Sequence, residues 1–169
     1  FQSKDLSMPT FQKMDLDLLE TATQQWNEQL RDLGEERVPF GGYNIYLGFV
    51  ENGLRNDKQP NIYFYALLDD KGVVQAIFQM SVALPNGPDT YLKILSVRTA
   101  PENDTRAPDT GVDTIIQRAS RIAVIYSSVI IQALEFAGGE FPATMVKIYG
   151  NKQADAMFFA TFIAQADNQ

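Results

Sequence analysis

The spacing of apolar residues changes near Pro60, and that change constrains the fold more than any other feature. Before Pro60 the apolar residues recur every three or four positions, which is typical of amphipathic helices; from Ile62 to Arg98 they alternate, which is typical of strands. The first half predicts one helix that Asp15 or Asp17 caps and Gly34 ends, and a second helix from Tyr43 to Leu54. The predicted apolar stripe of the first helix is Leu16, Leu19, Thr23, Trp26, Leu30 and Leu33.

The middle of the chain predicts a hairpin and a third strand. Ile62–Leu68 and Val73–Leu84 flank a tight turn at Asp69–Gly72, and Tyr91–Arg98 follows as the next strand. One face of the second strand is predicted to carry Val74, Ala76, Phe78, Met80 and Val82.

A helix–strand–helix tail completes the pattern. A helix from about Asp113 to Ala137 is long for a globular domain, so we expect a break near Arg118–Arg121. Thr144–Tyr149 predicts a short strand, and a final helix runs from about Asn151 to Gln165. Antiparallel strands followed by this tail favour one α/β (α+β) domain over residues 4–169, with a mixed, mostly antiparallel central sheet flanked by helices.

Composition removes several classes of site. The chain has no cysteine and no histidine, which excludes disulfides, thiolate or imidazole metal sites, and nucleophiles that need an imidazole base. The net charge of −7 and the absence of a basic stripe argue against a nucleic-acid partner and weakly favour an amine-bearing one. Acidic pairs such as Glu35–Glu36, Asp69–Asp70 and Glu102/Asp104 are explained by turns and caps better than by metal binding.

We expect a cytoplasmic protein without a membrane partner. No uninterrupted apolar run approaches the roughly 20 residues of a membrane span, and no secretory signal is visible. Phe1–Ser3 matches the residues left around a common protease-tag site, so we exclude it from the fold.

The predicted order of elements resembles the GNAT superfamily of acyl-CoA-dependent N-acyltransferases from about Pro9 onward. Ile62–Leu84 resembles the hairpin that precedes the cofactor strand of that family, and Tyr91–Glu102 resembles the cofactor strand and its exit. Met145–Phe159 resembles the next strand and the closing helix, with Asn151 at a commonly seen position. The resemblance implies a GNAT-like fold that binds acetyl-CoA or another acyl-CoA, with Asn151 and the backbone of Val97 and Thr99 among its contacts.

The resemblance also implies a turn of backbone N–H groups that holds the diphosphate of coenzyme A at a helix N-terminus. Two registers compete for it. The preferred one, Arg118–Ala123, makes Thr99–Gln117 an insertion, places Arg121 where the family has glycine, and makes Arg118, Arg121 and Ala123 cofactor contacts. The other, Pro108–Asp113, keeps only the central Gly111. A solvated helix face is the plainer interpretation of Arg118 and Arg121.

The catalytic positions depart from the family pattern. The resemblance implies a tyrosine seven residues after Asn151, but Phe158 stands there and cannot donate a proton. The central strands also lack the usual carboxylate base; their polar residues are Gln75, Gln79, Ser81, Lys93 and Ser96. Tyr149 is the one candidate catalytic residue, with plain packing as the alternative interpretation. The Pro39–Tyr43 segment is expected to line the acceptor site or to start the second helix.

The leading functional hypothesis is transfer of an acyl group, such as acetyl, from acyl-CoA to a primary amine of a small molecule or peptide. The alternatives are a non-catalytic GNAT-like binding or regulatory domain and an unrelated α+β interaction module. Whether the chain is an enzyme, and whether it forms a homodimer, stays open at this point.

Overall fold

The computed structural model describes residues 9–36, 39–56, 59–85, 87–108 and 111–149. They form a five-stranded sheet in the order β1-β2-β3-β4-β5, with two helices on one face and one on the other. Neighbouring strands from β1 to β4 are antiparallel, and β4 and β5 are parallel. The predicted mixed, mostly antiparallel sheet is therefore confirmed. In chain order the elements are β1 Thr10–Lys13, α1 Leu16–Asp32, α2 Tyr43–Arg55, β2 Ile62–Leu68, β3 Val74–Ala83, β4 Tyr91–Thr99, a short 3₁₀ helix Pro101–Asn103, α3 Val112–Gly138 and β5 Met145–Ile148.

An aspartate caps the start of the helix α1, and a glycine follows its end. Asp15 has extended backbone dihedrals and its Oδ1 accepts a hydrogen bond from the Leu18 N–H at 2.8 Å, so Asp15 rather than Asp17 is the cap. Gly34 then adopts a φ of 78°, in the left-handed region that glycine enters most easily. The buried face is rotated slightly from the predicted stripe, because Leu18 and Ala22 are buried while Leu16 is 40% exposed.

The core between α1, α2 and the sheet is built around Trp26. Its indole is fully buried, and Nε1 donates a 2.8 Å hydrogen bond to the Val74 carbonyl, so the polar end of the ring is satisfied. Val74 contacts this core, so the prediction that it shares a face with Ala76, Phe78, Met80 and Val82 is wrong. The reason is an irregularity in the β2–β3 register, where Leu67 pairs with Ala76 but Leu68 pairs with Val74, so that Gln75 is an extra residue.

The helix α3 covers the opposite face with Val129, Ala133 and Phe136, which pack on β2, β3 and β4. It is continuous over 27 residues, so the predicted break near Arg118–Arg121 is wrong. By length and composition alone α3 is apolar enough to cross a membrane, and 28% of its most apolar window is buried. Core helices of soluble proteins can be equally long and apolar. The absence of a membrane partner therefore stays a prediction.

Two parts of the predicted order need comment. The strand β1 was not predicted; it is four residues long, largely exposed, and pairs with β2 at the sheet edge. The predicted final helix, Asn151–Gln165, lies outside the described residues.

Replacing Asp15 with Ala is expected to lower the free energy of unfolding by about 1 kcal/mol, because the Leu18 N–H loses its acceptor. Asp17→Ala is the matched control, since it removes a first-turn carboxylate that is not the cap. Urea denaturation followed by circular dichroism measures both variants. Equal losses would contradict the assignment of the cap.

Candidate functional site

The parallel strands β4 and β5 separate part-way along the sheet. They are paired from Tyr91 with Met145 to Ile94 with Ile148, and the Tyr149 N–H donates the last bond, 3.0 Å to the Ile94 carbonyl. Beyond this point β4 continues to Thr99, while β5 has already ended. The second half of β4 therefore has no β5 partner among the described residues.

An extra residue in β4 lies at the point of separation. Gln79 pairs with Ser96 and Met80 pairs with Ile94, which leaves Leu95 as a β-bulge. The bulge shifts the alternation of side chains, so that Ile94 and Val97 both face α3. Arg98 faces α2 instead, with its guanidinium carbon 4.4 Å from the centre of the Tyr43 ring.

Beyond the bulge, the N–H and C=O groups of successive β4 residues point alternately toward β3 and toward the opposite edge of the strand. The Ala100 N–H bonds the Gln75 carbonyl at 2.8 Å, and Thr99 and Val97 pair with Ala76 and Phe78. In an antiparallel ladder with this register, Ala100 points its polar groups toward β3, and Thr99 and Val97 point theirs away from it. The N–H and C=O groups of Val97 and Thr99 thus face the edge beyond the end of β5, which no described residue pairs with and which we call the open edge. An extended ligand could accept and donate hydrogen bonds there.

A buried polar network fixes the exit of β4. Asp104 is 5% exposed and accepts hydrogen bonds from the Tyr43 hydroxyl at 2.9 Å and from Arg106 Nη2 at 2.6 Å. Its backbone carbonyl accepts a 2.8 Å bond from Arg118 Nη1. These contacts connect the start of α2, the segment after β4 and the body of α3.

Electrostatics within this network favour a charged carboxylate. Burial alone would raise the pKa of Asp104, but the hydrogen bonds from Arg106 and Tyr43 and the Arg106 charge outweigh it and lower the pKa. Burial and the neighbouring Asp104 raise the pKa of the Tyr43 hydroxyl, which stays protonated and donates. Nε and Nη2 of Arg98 are buried without a hydrogen-bond partner in the described part of the chain, and the Tyr43 ring is the nearest compensation for that cation.

No family model matches the chain, and no curated protein sequence matches it. Solved structures do match. An aminoglycoside 6'-N-acetyltransferase from Acinetobacter baumannii shares 13% identity at a TM-score of 0.43, over 90% of this chain and 88% of that one. A predicted acetyltransferase from Clostridium acetobutylicum, solved with acetyl-CoA, shares 10% identity at a TM-score of 0.45, over 92% and 88%. An acetyltransferase from Trypanosoma brucei shares 13% identity at a TM-score of 0.48, over 92% and 91%.

The order of the elements carries the fold assignment. Two helices precede the antiparallel meander β2-β3-β4, and α3 connects the parallel strands β4 and β5. The chain has a GNAT-like fold. Its open β4 edge and the Leu95 bulge are the features that could form a binding cleft beside α3.

Within this GNAT-like fold, the preferred register for a diphosphate turn is wrong. Arg118–Ala123 lies inside α3, where backbone N–H groups are used in helical hydrogen bonds, and the helix begins after Gly111 as the other register requires. Arg118 is buried and bonded to the Asp104 carbonyl, so it is not on a solvated face either. Arg121 is exposed and Ala123 is half-buried.

The other predicted site residues are partly accounted for. Val97 and Thr99 lie on the open edge, and Tyr149 lies where β4 and β5 separate, with its side chain 49% exposed. Asn151 and Phe158 lie outside the described residues.

Sequence reasoning missed the partnership of Tyr43, Arg98 and Asp104. The sequence predicts Tyr43 only within an aromatic helix start, Asp104 only within turn chemistry, and Arg98 only at the end of a strand. The available signal was the density of arginines and acids between Arg98 and Arg118, which a buried network explains better than a solvated face. No cluster of three or more metal-ligating side chains is found where the structure describes the chain.

Replacing Asp104 with Asn is expected to lower the free energy of unfolding at pH 7 by about 1.5 kcal/mol, since Arg106 and Tyr43 then face a neutral amide. Because folding lowers the pKa of Asp104, its contribution is complete above the unfolded-state pKa near 4 and is lost as the pH falls through the folded-state value.

Urea denaturation from pH 7 to pH 3 should therefore show the wild type and Asp104→Asn converging in acid. Asp70→Asn, at an exposed turn position, is the control and should follow the wild type throughout. A gap that stays constant with pH would show that the Asp104 charge is not what stabilises the network.

Proposed function

We propose that this chain is a divergent GNAT superfamily member that transfers an acyl group from an acyl-CoA to a primary amine. The single observation that carries the proposal is the open β4 edge. Val97 and Thr99 direct their backbone N–H and C=O groups into the space that β5 leaves, and Val97 also packs against the α3 side of the sheet. An extended amide-containing arm, such as the pantetheine of coenzyme A, would pair with that edge as an added strand does.

The proposed reaction requires the protein mainly to position the two reactants and to polarise the thioester carbonyl. The amine nitrogen attacks the thioester carbonyl, a C–N bond forms, the C–S bond breaks, and the thiolate leaves with the bonding pair. The Val97 N–H would polarise the carbonyl oxygen as negative charge develops on it. Holding the amine and the thioester in line supplies most of the remaining acceleration.

The reaction also needs an acceptor for the amine proton and a proton donor for the leaving thiolate. The attacking amine loses one proton, and water is the acceptor we assign, since no carboxylate of β4 or β5 is available: the described residues of both strands carry no Asp or Glu. Tyr149 lies at the point of strand separation, and its hydroxyl is the candidate to protonate the leaving thiolate.

One observation favours the non-catalytic alternative. The first turn of α3, where the corrected register would place the diphosphate, carries Asp113 and no basic residue. A carboxylate at that end of the helix opposes a bound phosphate, although the N–H groups of the first turn favour one. A binding or regulatory domain that holds coenzyme A weakly, without turnover, is the second candidate function.

Calorimetric titration of acetyl-CoA, followed by an assay of free thiol release with a panel of primary amines, separates these candidates. Binding with amine-dependent thiol release supports the transferase. Binding without release supports the second candidate. Absence of binding at millimolar acetyl-CoA would overturn both.

Replacing Val97 with Pro is expected to weaken acetyl-CoA binding about tenfold, because the substitution removes the N–H on the open edge. That N–H points away from β3, so no ladder hydrogen bond is lost. Val97→Ala is the matched control: it keeps the N–H and removes only side-chain packing, and its affinity should stay within about threefold of wild type. Similar affinities for the two variants, both folded by circular dichroism, would argue against edge pairing.

A further inference from the structure

Two lysines lie directly opposite each other on the face of the β4–β5 pair that points away from α3. Lys93 and Lys147 are partners in the parallel register, so their side chains leave the same face of the sheet. Their neighbours Leu92, Ile94, Val146 and Ile148 point to the other face and pack with the α3 core. Like charges at directly opposed positions destabilise a strand pair, so this arrangement costs stability.

Aromatic rings hold the two ammonium groups together. Lys147 Nζ lies 3.9 Å from the centre of the Tyr91 ring, and Lys93 Nζ lies 5.2 Å from the same ring. Lys93 Nζ is also 5.7 Å from the centre of the Tyr149 ring. Both cations therefore converge on one ring, and cation–π attraction offsets part of their repulsion.

No carboxylate in the described part of the chain neutralises the pair. The only ion pairs among the described residues are Arg55 with Glu51 and Arg106 with Asp104. Lys93 and Lys147 are half-buried, which limits how far water can screen them from each other. In a chain of net charge −7, two paired cations without a carboxylate partner among the described residues require an explanation.

The pair lies beside the proposed reaction centre. Tyr149, whose ring contacts Lys93, bonds through its N–H to Ile94 at the point where the strands separate. The cations and the α3 side lie on opposite faces of the sheet, so a thioester held on the open edge could be approached by an amine from the lysine face. Arg98 lies on that same face farther along β4.

From these observations we infer that the acceptor of this protein is an amine that also carries an anionic group, a carboxylate or a phosphate, bound by Lys93 and Lys147. The inference rests on the proposed acyl transfer and specifies its acceptor. Charge-assisted hydrogen bonds from both ammonium groups would hold the anion, and the Tyr91 and Tyr149 rings would cover the short chain between the anion and the amine. The net charge does not oppose this, because screening limits its effect to about 8 Å at physiological salt.

Turnover with matched acceptors tests the specificity. β-Alanine and propylamine differ by a carboxylate, and O-phosphoethanolamine and ethanolamine differ by a phosphate. With acetyl-CoA as donor, we expect kcat/KM for at least one anionic amine to exceed that of its neutral counterpart by tenfold or more. Preference for one anionic amine over the other identifies the carboxylate or the phosphate as the recognised group.

The double substitution Lys93→Gln with Lys147→Gln should reduce that preference to within about twofold. Lys71→Gln, at the exposed β2–β3 turn, is the control and should keep the preference. The double variant should be at least as stable as the wild type in urea, because it removes a like-charge pair. Equal kcat/KM values for anionic and neutral amines with the wild type would overturn the inference and leave the acyl transfer intact.

A binding measurement keeps the two proposals separable. Propionate and ethyl phosphate lack an amine, and amide shifts of Lys93 and Lys147 in NMR spectra report their binding with or without coenzyme A. Chemical-shift changes that the probes cause in the wild type but not in the double variant support the anion site. They do so even if no amine is acylated, an outcome that would count against the transferase alone. Unchanged spectra with both probes at millimolar concentration would overturn the anion site.

Discussion

Most of the geometry of the candidate site depends on one extra residue in β4. A regular strand would place Ile94, Ser96 and Arg98 on one face, and Arg98 would then enter the apolar cluster that contains Ile125. The bulge at Leu95 prevents this, because it shifts the alternation once and leaves Ile94 and Val97 on the α3 side. The cation and the apolar edge therefore occupy opposite faces of the same short segment.

The segment that follows β4 has to be held in place if a ligand is to pair with that edge. The segment after Thr99 turns through Pro101–Asn103 and is fixed by Asp104, which accepts from Tyr43 and Arg106 and is bonded to Arg118 through its carbonyl. Burying a carboxylate costs several kcal/mol unless its hydrogen bonds are made. The network makes them, and so couples the start of α2 to the body of α3 across the end of the strand.

The sequence predicted the fold well wherever spacing alone decides structure. The period of the apolar residues predicted α1, α2, the hairpin and β4, and the helix predicted from about Asp113 to Ala137 agrees with the ends of α3. It did not predict β1, because a four-residue edge strand with exposed side chains has too few alternating apolar positions to be recognised.

The site was harder to predict, for two physical reasons. Bulges depend on the register between strands, so spacing along one strand could not show that Gln75 and Leu95 each change the face of their neighbours. Buried charges depend on partners distant in the chain, so Arg118 was interpreted as a solvated or phosphate-binding residue when its partner is the Asp104 carbonyl. The helix break predicted from the length of α3 is absent, because the apolar spacing of α3 continues through Arg121.

The charges on this fold are distributed unevenly, and the unevenness is informative. Acidic residues outnumber basic ones by 21 to 14, yet the β4–β5 face presents Lys93, Lys147 and Arg98 with no carboxylate paired to any of them in the described residues. Local rules of stability are broken in natural proteins mainly at functional or strained sites. Ligand binding explains two opposed lysines on one aromatic ring, beside an open strand edge, better than stability does.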